Sequence, residues 1–153
     1  MDNEPADQDT PSRATWSVRV LTPEDGKISV SGPALVSEKP LSFWGGYDPA
    51  SGEIIDRRHP LSGENAAGRI FVLPSGRGSS TASAILLEAI RQGTAPAAIV
   101  LGQTAPILTL GAVISEEFFD RTIPVVVLKN ATQHIHQGEM IRIDDNWLTI
   151  LKD

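Results

Sequence analysis

Apolar positions recur in two different rhythms along this chain. Up to about residue 56 they come in short runs broken by turn residues. WSVRVL (Trp16 to Leu21) precedes the turn-forming Pro23-Glu24-Asp25-Gly26. ISV follows, then a break at Gly32-Pro33, then PALVSEKPLSFW (Pro33 to Trp44), divided near Glu38-Lys39-Pro40. Runs of this length bounded by Gly, Pro and Asp predict short strands. Gly45-Gly46 and Asp48-Pro49 open a loop, which GEIID (Gly52 to Asp56) closes as a further extended run.

From Arg69 the rhythm changes. RIFVL (Arg69 to Leu73) is continuously apolar, as a strand buried on both faces would be. The glycine-rich PSGRGSS comes next, then TASAILLEAIRQG, in which Ile85, Leu86, Ala89 and Ile90 form one helical stripe. Ser79 or Ser80 can cap that helix and Gly93 can stop it. AAIVL (Ala97 to Leu101) is a second buried strand, and strand–loop–helix–strand predicts a parallel pair with a right-handed crossover. PILTLGAVISEEFF (Pro106 to Phe119) predicts a second helix, with Pro106 in its first turn and Gly111 as an internal weak point. PVVVL (Pro124 to Leu128) is a third buried strand, and MIRIDDNWLTIL predicts a hairpin turning at Asp145-Asn146. The expected class is α/β: a β-rich N-terminal half packed on a β/α unit with about three parallel strands. Residues 1–13 (MDNEPADQDTPSR) lack apolar periodicity and are expected to form a disordered acidic tail, leaving 14–153 as a single domain.

Composition narrows the function classes. At 153 residues, 41% of them hydrophobic, the chain can bury a core of ordinary size. Its net charge of −6 argues against non-specific binding to nucleic acid or an anionic membrane surface, both of which need excess Lys and Arg. The sequence contains no cysteine, so disulfides and thiolate-ligated clusters built from this chain alone are excluded. The start of the chain has neither the apolar core of a signal peptide nor a membrane anchor, and no apolar run approaches the roughly 20 residues that a spanning helix needs. The expected compartment is the cytoplasm.

Three clusters carry candidate chemistry. The first is Gly76-Arg77-Gly78-Ser79-Ser80-Thr81, between a buried strand and a helix start. Helix N-termini present unpaired N–H groups and a positive dipole end, which can hold an anion or stabilise a deprotonated hydroxyl. The glycines admit close approach of a substrate, and Arg77 can fork two hydrogen bonds onto a carboxylate or phosphate. The loop lacks the lysine of a phosphate-binding P-loop and the G-x-S-x-G of a nucleophile elbow. Read on its own it can equally be a capped helix start. The second cluster, Asp56-Arg57-Arg58-His59-Pro60, offers two guanidinium groups for an anionic substrate and a histidine able to exchange protons, or else a solvated turn. Phe43, Trp44 and Tyr47 around Gly45-Gly46 can line a pocket or simply pack. The third, His134-x-His136, would share one face of a strand, but apart from Glu139 no acidic residue stands at ligand-like spacing, and no metal is assigned to it.

Taken together, SFWGGYDPASGEIIDRRHP, LPSGRGSSTAS, APAAIVLGQTAPILTLGAVISEE and IPVVVL, in that order, resemble the small subunit of the aconitase X family, over about Pro33 to Leu128. The resemblance implies a swivelling β/β/α domain. It also implies a larger partner chain, the aconitase X large subunit, holding an iron–sulfur cluster or iron through its own cysteines, with no cofactor bound by this chain. Carried over residue by residue, it puts the catalytic base on Ser79, from the loop that reads Gly-Ser-Ser-Arg in aconitases. Gly78, Ser80 and Arg77 would stand beside the substrate, and Arg57, Arg58 and His59 would help bind it. Thr81 departs from the pattern by replacing an arginine, and Arg77 is the nearest substitute. Some members carry Cys where this chain has Ser80, so thiol chemistry is not required here.

The reaction implied is dehydration of a small hydroxy acid, either cis-3-hydroxy-L-proline or phosphomevalonate. The acidic, lysine-poor composition is unlike that of thermophiles and favours the hydroxyproline reaction. Two competing readings are a stand-alone anion-binding or scaffolding module using the same loop, and an independent metal enzyme built on His59, His134 and His136. A catalytic half should differ from the module in exposing an apolar patch beside Ser79.

Overall fold

The computed structural model describes residues 14–77 and 80–151; the expected acidic tail (residues 1–13), Gly78 and Ser79 lie outside them. In chain order the elements are β1 (Ala14–Ser17), β2 (Arg19–Thr22), β3 (Ser29–Val36), β4 (Leu41–Ser42), β5 (Ile70–Leu73), β6 (Gly76–Arg77), α1 (Ser80–Gln92), β7 (Ala98–Leu101), α2 (Pro106–Phe119), β8 (Val125–Val127), α3 (Ala131–His134), β9 (Met140–Asp144) and β10 (Trp147–Leu151).

Eight strands form one sheet in the order β1-β10-β9-β3-β5-β7-β8-β2. The two strands at its ends are successive in the chain and separated only by Val18. The covalent chain therefore closes the sheet on itself. Val18 is buried, and its N–H donates to Asn146 O at 2.8 Å. WSVRVL is thus two strands rather than one. Its first half pairs with β10 and its second, through Arg19, Val20 and then Thr22 across a bulge at Leu21, with β8.

Gly32-Pro33 does not break a strand as the sequence suggests, because β3 runs through it for 8 residues. Its first half, Ser29 to Pro33, pairs antiparallel with β9, and its second, Ala34 to Val36, pairs parallel with β5. Pro33 has no N–H to give, and it stands at the handover, where Ala34 N donates to Glu139 O at 2.8 Å. The parallel set is β3, β5, β7 and β8, one strand more than expected. The GEIID run contributes only isolated bridges, Tyr47 with Ile54 and Glu53 with Asn65.

Because side chains alternate across a strand, the buried strands feed two cores. Ala34, Ile70, Val72, Ala98, Val100 and Val126 face Ile141, Ile143, Leu148 and Ile150 of the β9–β10 hairpin, with Ala131 and Ile135 of the α3 segment packed among them. Leu35, Phe71, Leu73, Ile99, Leu101 and Val125 face the other way, onto Ala82, Leu86 and Ala89 of α1, Leu108 and Ala112 of α2, and the Phe43–Leu61 loop. The result is three layers: hairpin, parallel strands, helices.

Helix α1 ends as the sequence predicts. Gly93 takes φ 82°, and Thr94 N reaches back to Ala89 O at 2.9 Å. Gly111 is not a weak point, because it faces the backbone of Ser83 in α1, where a Cβ would collide with the Ser83 carbonyl. Its lack of a side chain sets how closely the helices cross.

Candidate functional site

Parallel pairing places the C-terminal ends of β3, β5 and β7 on one edge of the molecule, and the serine loop leaves from the middle one. Behind Leu73 the chain is held on both sides. On the β7 side, Gly102 N donates to Leu73 O at 2.9 Å, and a Cβ on Gly102 would lie 2.7 Å from Pro74 O. On the β3 side, β6 pairs with β4, Leu41 opposite Gly76 and Ser42 opposite Arg77. Helix α1 starts at Ser80, so Gly78 and Ser79 bridge a two-residue step between a clamped strand and a helix N-terminus. That step is where orphan N–H groups and the positive dipole end are concentrated. Ser79 and Gly78 themselves, and the side chains of Arg77 and Ser80, lie outside what the structure describes.

β4 leads into a rigid turn. Gly46 N and Tyr47 N both donate to Phe43 O, at 3.2 and 3.0 Å. The rings of Phe43 and Tyr47 are buried and stacked, with centroids 4.8 Å apart. Tyr47 Oη donates to Thr94 O at 2.8 Å, and burial pushes the phenol well above its ordinary value. Gly46 has no room for a Cβ against Ser42 O and Leu41. This scaffold holds Trp44, 61% exposed, out into solvent. Ile55, also exposed, is tied alongside by its N–H on Gly46 O at 2.9 Å.

The Arg57-Arg58-His59 cluster separates into two parts. Arg57 and Arg58 sit on an exposed turn that Asp56 caps by accepting from Arg58 N at 3.0 Å. Neither guanidinium meets a carboxylate within 4.0 Å among the described residues. His59 is buried instead. Its Nδ1 accepts from Leu61 N at 3.1 Å, which leaves the ring proton on Nε2, facing Ser37 Oγ at 3.2 Å and Lys39 O at 3.3 Å. Ser37 in turn donates its hydroxyl to Lys39 O at 2.6 Å and its N–H to Val72 O at 2.9 Å. The imidazole ties the arginine turn to the ends of β3 and β5.

His134 and His136 do not form a pair. His134 lies in the short α3 helix rather than on a strand and packs on the Trp16 ring at 4.9 Å, while His136 lies beyond the helix and faces Glu139 at 3.6 Å. Among the described residues no group of three or more His, Asp or Glu side chains comes together as a metal site. No helix among them is long and apolar enough to cross a membrane.

One feature escaped the sequence reading. The outward side of α2 exposes Ile107, Leu110, Val113 and Phe118, although Leu108 and Ala112 on its inward side fill the core. Between α2 and β2 lies a cleft of about 420 Å³, lined by the apolar Leu21, Pro106, Leu110 and Val113 together with Arg19, Thr104 and Thr109. The available signal was a helix with apolar residues on both sides, more than one core can cover.

Comparison with known proteins gives concordant matches. The model of the aconitase X swivel domain family matches residues 18–151. The chain is 46% identical over 125 residues to the cis-3-hydroxy-L-proline dehydratase of Pseudomonas aeruginosa, covering 82% of this chain and 22% of that protein. With the Hypocrea jecorina enzyme of the same name it shares 51% identity over 98 residues, 64% of this chain and 16% of that one. The chain thus spans about a fifth of the length of these two relatives. The phosphomevalonate dehydratase small subunit of Methanopyrus kandleri is 48% identical over 92 residues, 60% of this chain and 68% of that one. Among solved structures, a chain of Thermococcus kodakaraensis aconitase X in its holo-form superposes with a TM-score of 0.79 at 30% identity, covering 91% of this chain and 99% of that one.

Proposed function

The chain belongs to the aconitase X swivel domain family, and from that membership we propose that it works as the small subunit of an aconitase-X-type hydro-lyase. Its substrate in this reading is a small hydroxy acid, cis-3-hydroxy-L-proline first, its partner an aconitase X large subunit, and its compartment the cytoplasm. The observation that carries the reading is the clamped step from β5 to α1, occupied by Gly-Ser-Ser and set at the C-terminal edge of three parallel strands. The choice of substrate is supported by the 46% identity to a hydroxyproline dehydratase across 82% of this chain. A second reading, phosphomevalonate, is supported by 48% identity to a phosphomevalonate dehydratase small subunit over a shorter stretch.

Ser79 Oγ is the proposed base, removing the proton from the carbon that becomes part of the new double bond as the hydroxyl departs. The helix N-terminus stabilises the alkoxide this requires, a free serine hydroxyl being a very weak base at neutral pH. Arg77, Gly78 and Ser80 border the substrate in this proposal, with Arg57 and Arg58 attracting its carboxylate. His59 acts one step back, holding the arginine turn in place. An iron–sulfur or iron centre that polarises the leaving hydroxyl is proposed for the large subunit. This chain has no cysteine and no described side-chain cluster that fits such a group.

The test is anaerobic assay of the chain combined with the large subunit, against both substrates, with Ser79→Ala alongside. Turnover of one substrate, falling about 10²- to 10⁴-fold in Ser79→Ala while the complex persists, is expected. Full activity in Ser79→Ala, or turnover by the small chain alone, would overturn the assignment.

A further inference from the structure

We propose that the large subunit grips this chain at two apolar feet flanking the serine loop, Trp44 on one side and Ile107 with Leu110 on the other. The inference rests on the subunit reading above and adds to it the surface on which the partner sits.

The argument is topological. β3, β5 and β7 are neighbours and parallel, so their C-terminal ends share an edge. β3 continues into β4 and the Trp44 turn, β5 into β6 and the serine loop, and β7 into Gly102 to Ala105 and the start of α2. The loop therefore has an exposed indole to one side and, to the other, Ile107 at 45% and Leu110 at 47% exposure, beside the cleft between α2 and β2.

Both feet stand on fixed backbone. Trp44 projects from a turn fixed by the stacked Phe43–Tyr47 pair and by Gly46, and Leu110 stands on a helix whose other face is buried in the core. Large apolar side chains on fixed backbone are what interfaces use as anchors, since little backbone freedom is lost on docking. The cleft accepts apolar side chains along Leu21, Pro106, Leu110 and Val113. Arg19, which lines the same cleft, has no carboxylate partner among the described residues. The chemistry expected of the partner is two apolar pockets on either side of its own reaction centre, with an acidic group facing Arg19 at the helix foot.

Of the other exposed apolar residues, Phe118 and Phe119 stand at the C-terminal end of α2, the opposite end from the one that follows β7. Met140 and Trp147 lie on the outer face of the hairpin, interspersed with Arg142 and Asp144.

Affinity of the purified large subunit for the wild-type chain and for Trp44→Ser, Leu110→Glu and Trp147→Ser tests the surface, each variant first checked by circular dichroism. Both foot variants should bind at least about 30-fold more weakly, and Trp147→Ser should bind as the wild type does. Hydrogen exchange on the wild-type complex is the second measurement and needs no variant. The Trp44 turn and residues 104–113 should gain protection on binding. Wild-type affinity in both foot variants, or no protection of these segments in a formed complex, overturns the proposed surface and leaves the subunit reading standing. A folded wild-type chain that does not bind the large subunit at all overturns both. A dimer of this chain alone that Leu110→Glu dissociates would assign the helix foot to a second copy and overturn the proposal.

Discussion

Gly111 of α2 lies directly against the carbonyl oxygen of Ser83 in α1, with Leu86 Cβ 3.3 Å from where its own Cβ would be. Alanine there would gain about 1 kcal/mol of intrinsic helix propensity. Against that gain stands a collision with backbone, which no side-chain rotation relieves. Gly111→Ala is expected to lose about 1–3 kcal/mol net, read as a lower denaturant midpoint. A midpoint equal to or above that of the wild type would show that the helices part at little cost.

Gly102→Ala probes the other close approach, 2.7 Å from a new Cβ to Pro74 O, at the root of the serine loop. The strand end has to shift, and the loop shifts with it. In the assembled enzyme kcat is expected to fall about 10- to 100-fold, since displacements of about 1 Å in a reacting group have costs of that size. The comparison that decides is kcat of variant and wild type at saturating large subunit. An unaltered kcat would mean that the loop is positioned from the β4 side alone.

His59→Ala should act on stability. Removing the imidazole strands Leu61 N and takes a polar neighbour from the buried Ser37 hydroxyl. The expected cost is about 1–3 kcal/mol, with KM in the assembled enzyme changed far less than by Arg58→Ala. A wild-type melting temperature combined with a raised KM would instead make His59 a substrate contact.

Tyr47 is the chain's one tyrosine, so its ionisation can be followed by tyrosinate absorbance. Burial holds its folded-state value above the ordinary one of about 10. The folded protein thus keeps a proton that the unfolded chain gives up above that pH. Stability from this residue is complete below about pH 10 and declines as pH rises past it. Tyr47→Phe should lose about 1 kcal/mol at neutral pH with the bond to Thr94 O and should flatten the alkaline decline. Tyrosinate appearing near pH 10 in the still-folded wild type would contradict the buried hydrogen bond.

Much of this architecture could be read directly from residue order, and where it could not, the causes are specific. Ile70–Leu73 and Ala98–Leu101 are apolar at every position because both of their faces are covered, and that pattern has few other origins. The end of α1 was legible because Gly93 adopts a backbone conformation that other residues avoid. Pro33 misled because proline excludes a strand only where its N–H would have to donate, and here the pairing changes partner at that residue. The bend at Val18 leaves no local trace, since a bent and a straight strand share the same alternation. The role of Gly111 depends on a neighbour in another helix.

At the site, the glycines and serines of residues 76–80 announced a loop at a helix start, and the pairing of β6 with β4 is what shows its first two residues, Gly76 and Arg77, to be clamped. The division of Arg57-Arg58-His59 into an exposed pair and a buried strut follows from Ser37 and Lys39, some twenty positions earlier in the chain, and periodicity carries no information about it. An apolar residue in a loop reads as core, so the outward aim of Trp44 had no signature in its own neighbourhood.

Closure of the sheet through Val18 has a consequence for how such a domain can be attached to anything larger. The end strands of the sheet are two stretches of 4 residues each, joined head to tail, too short to template another strand. A partner finds little strand edge here to pair with and is left to hold the domain chiefly by side chains. Side-chain contacts can be broken and remade over a few ångströms while the sheet keeps its own ladder intact. A domain built this way can move as one body against whatever holds it, with every backbone pairing inside it preserved.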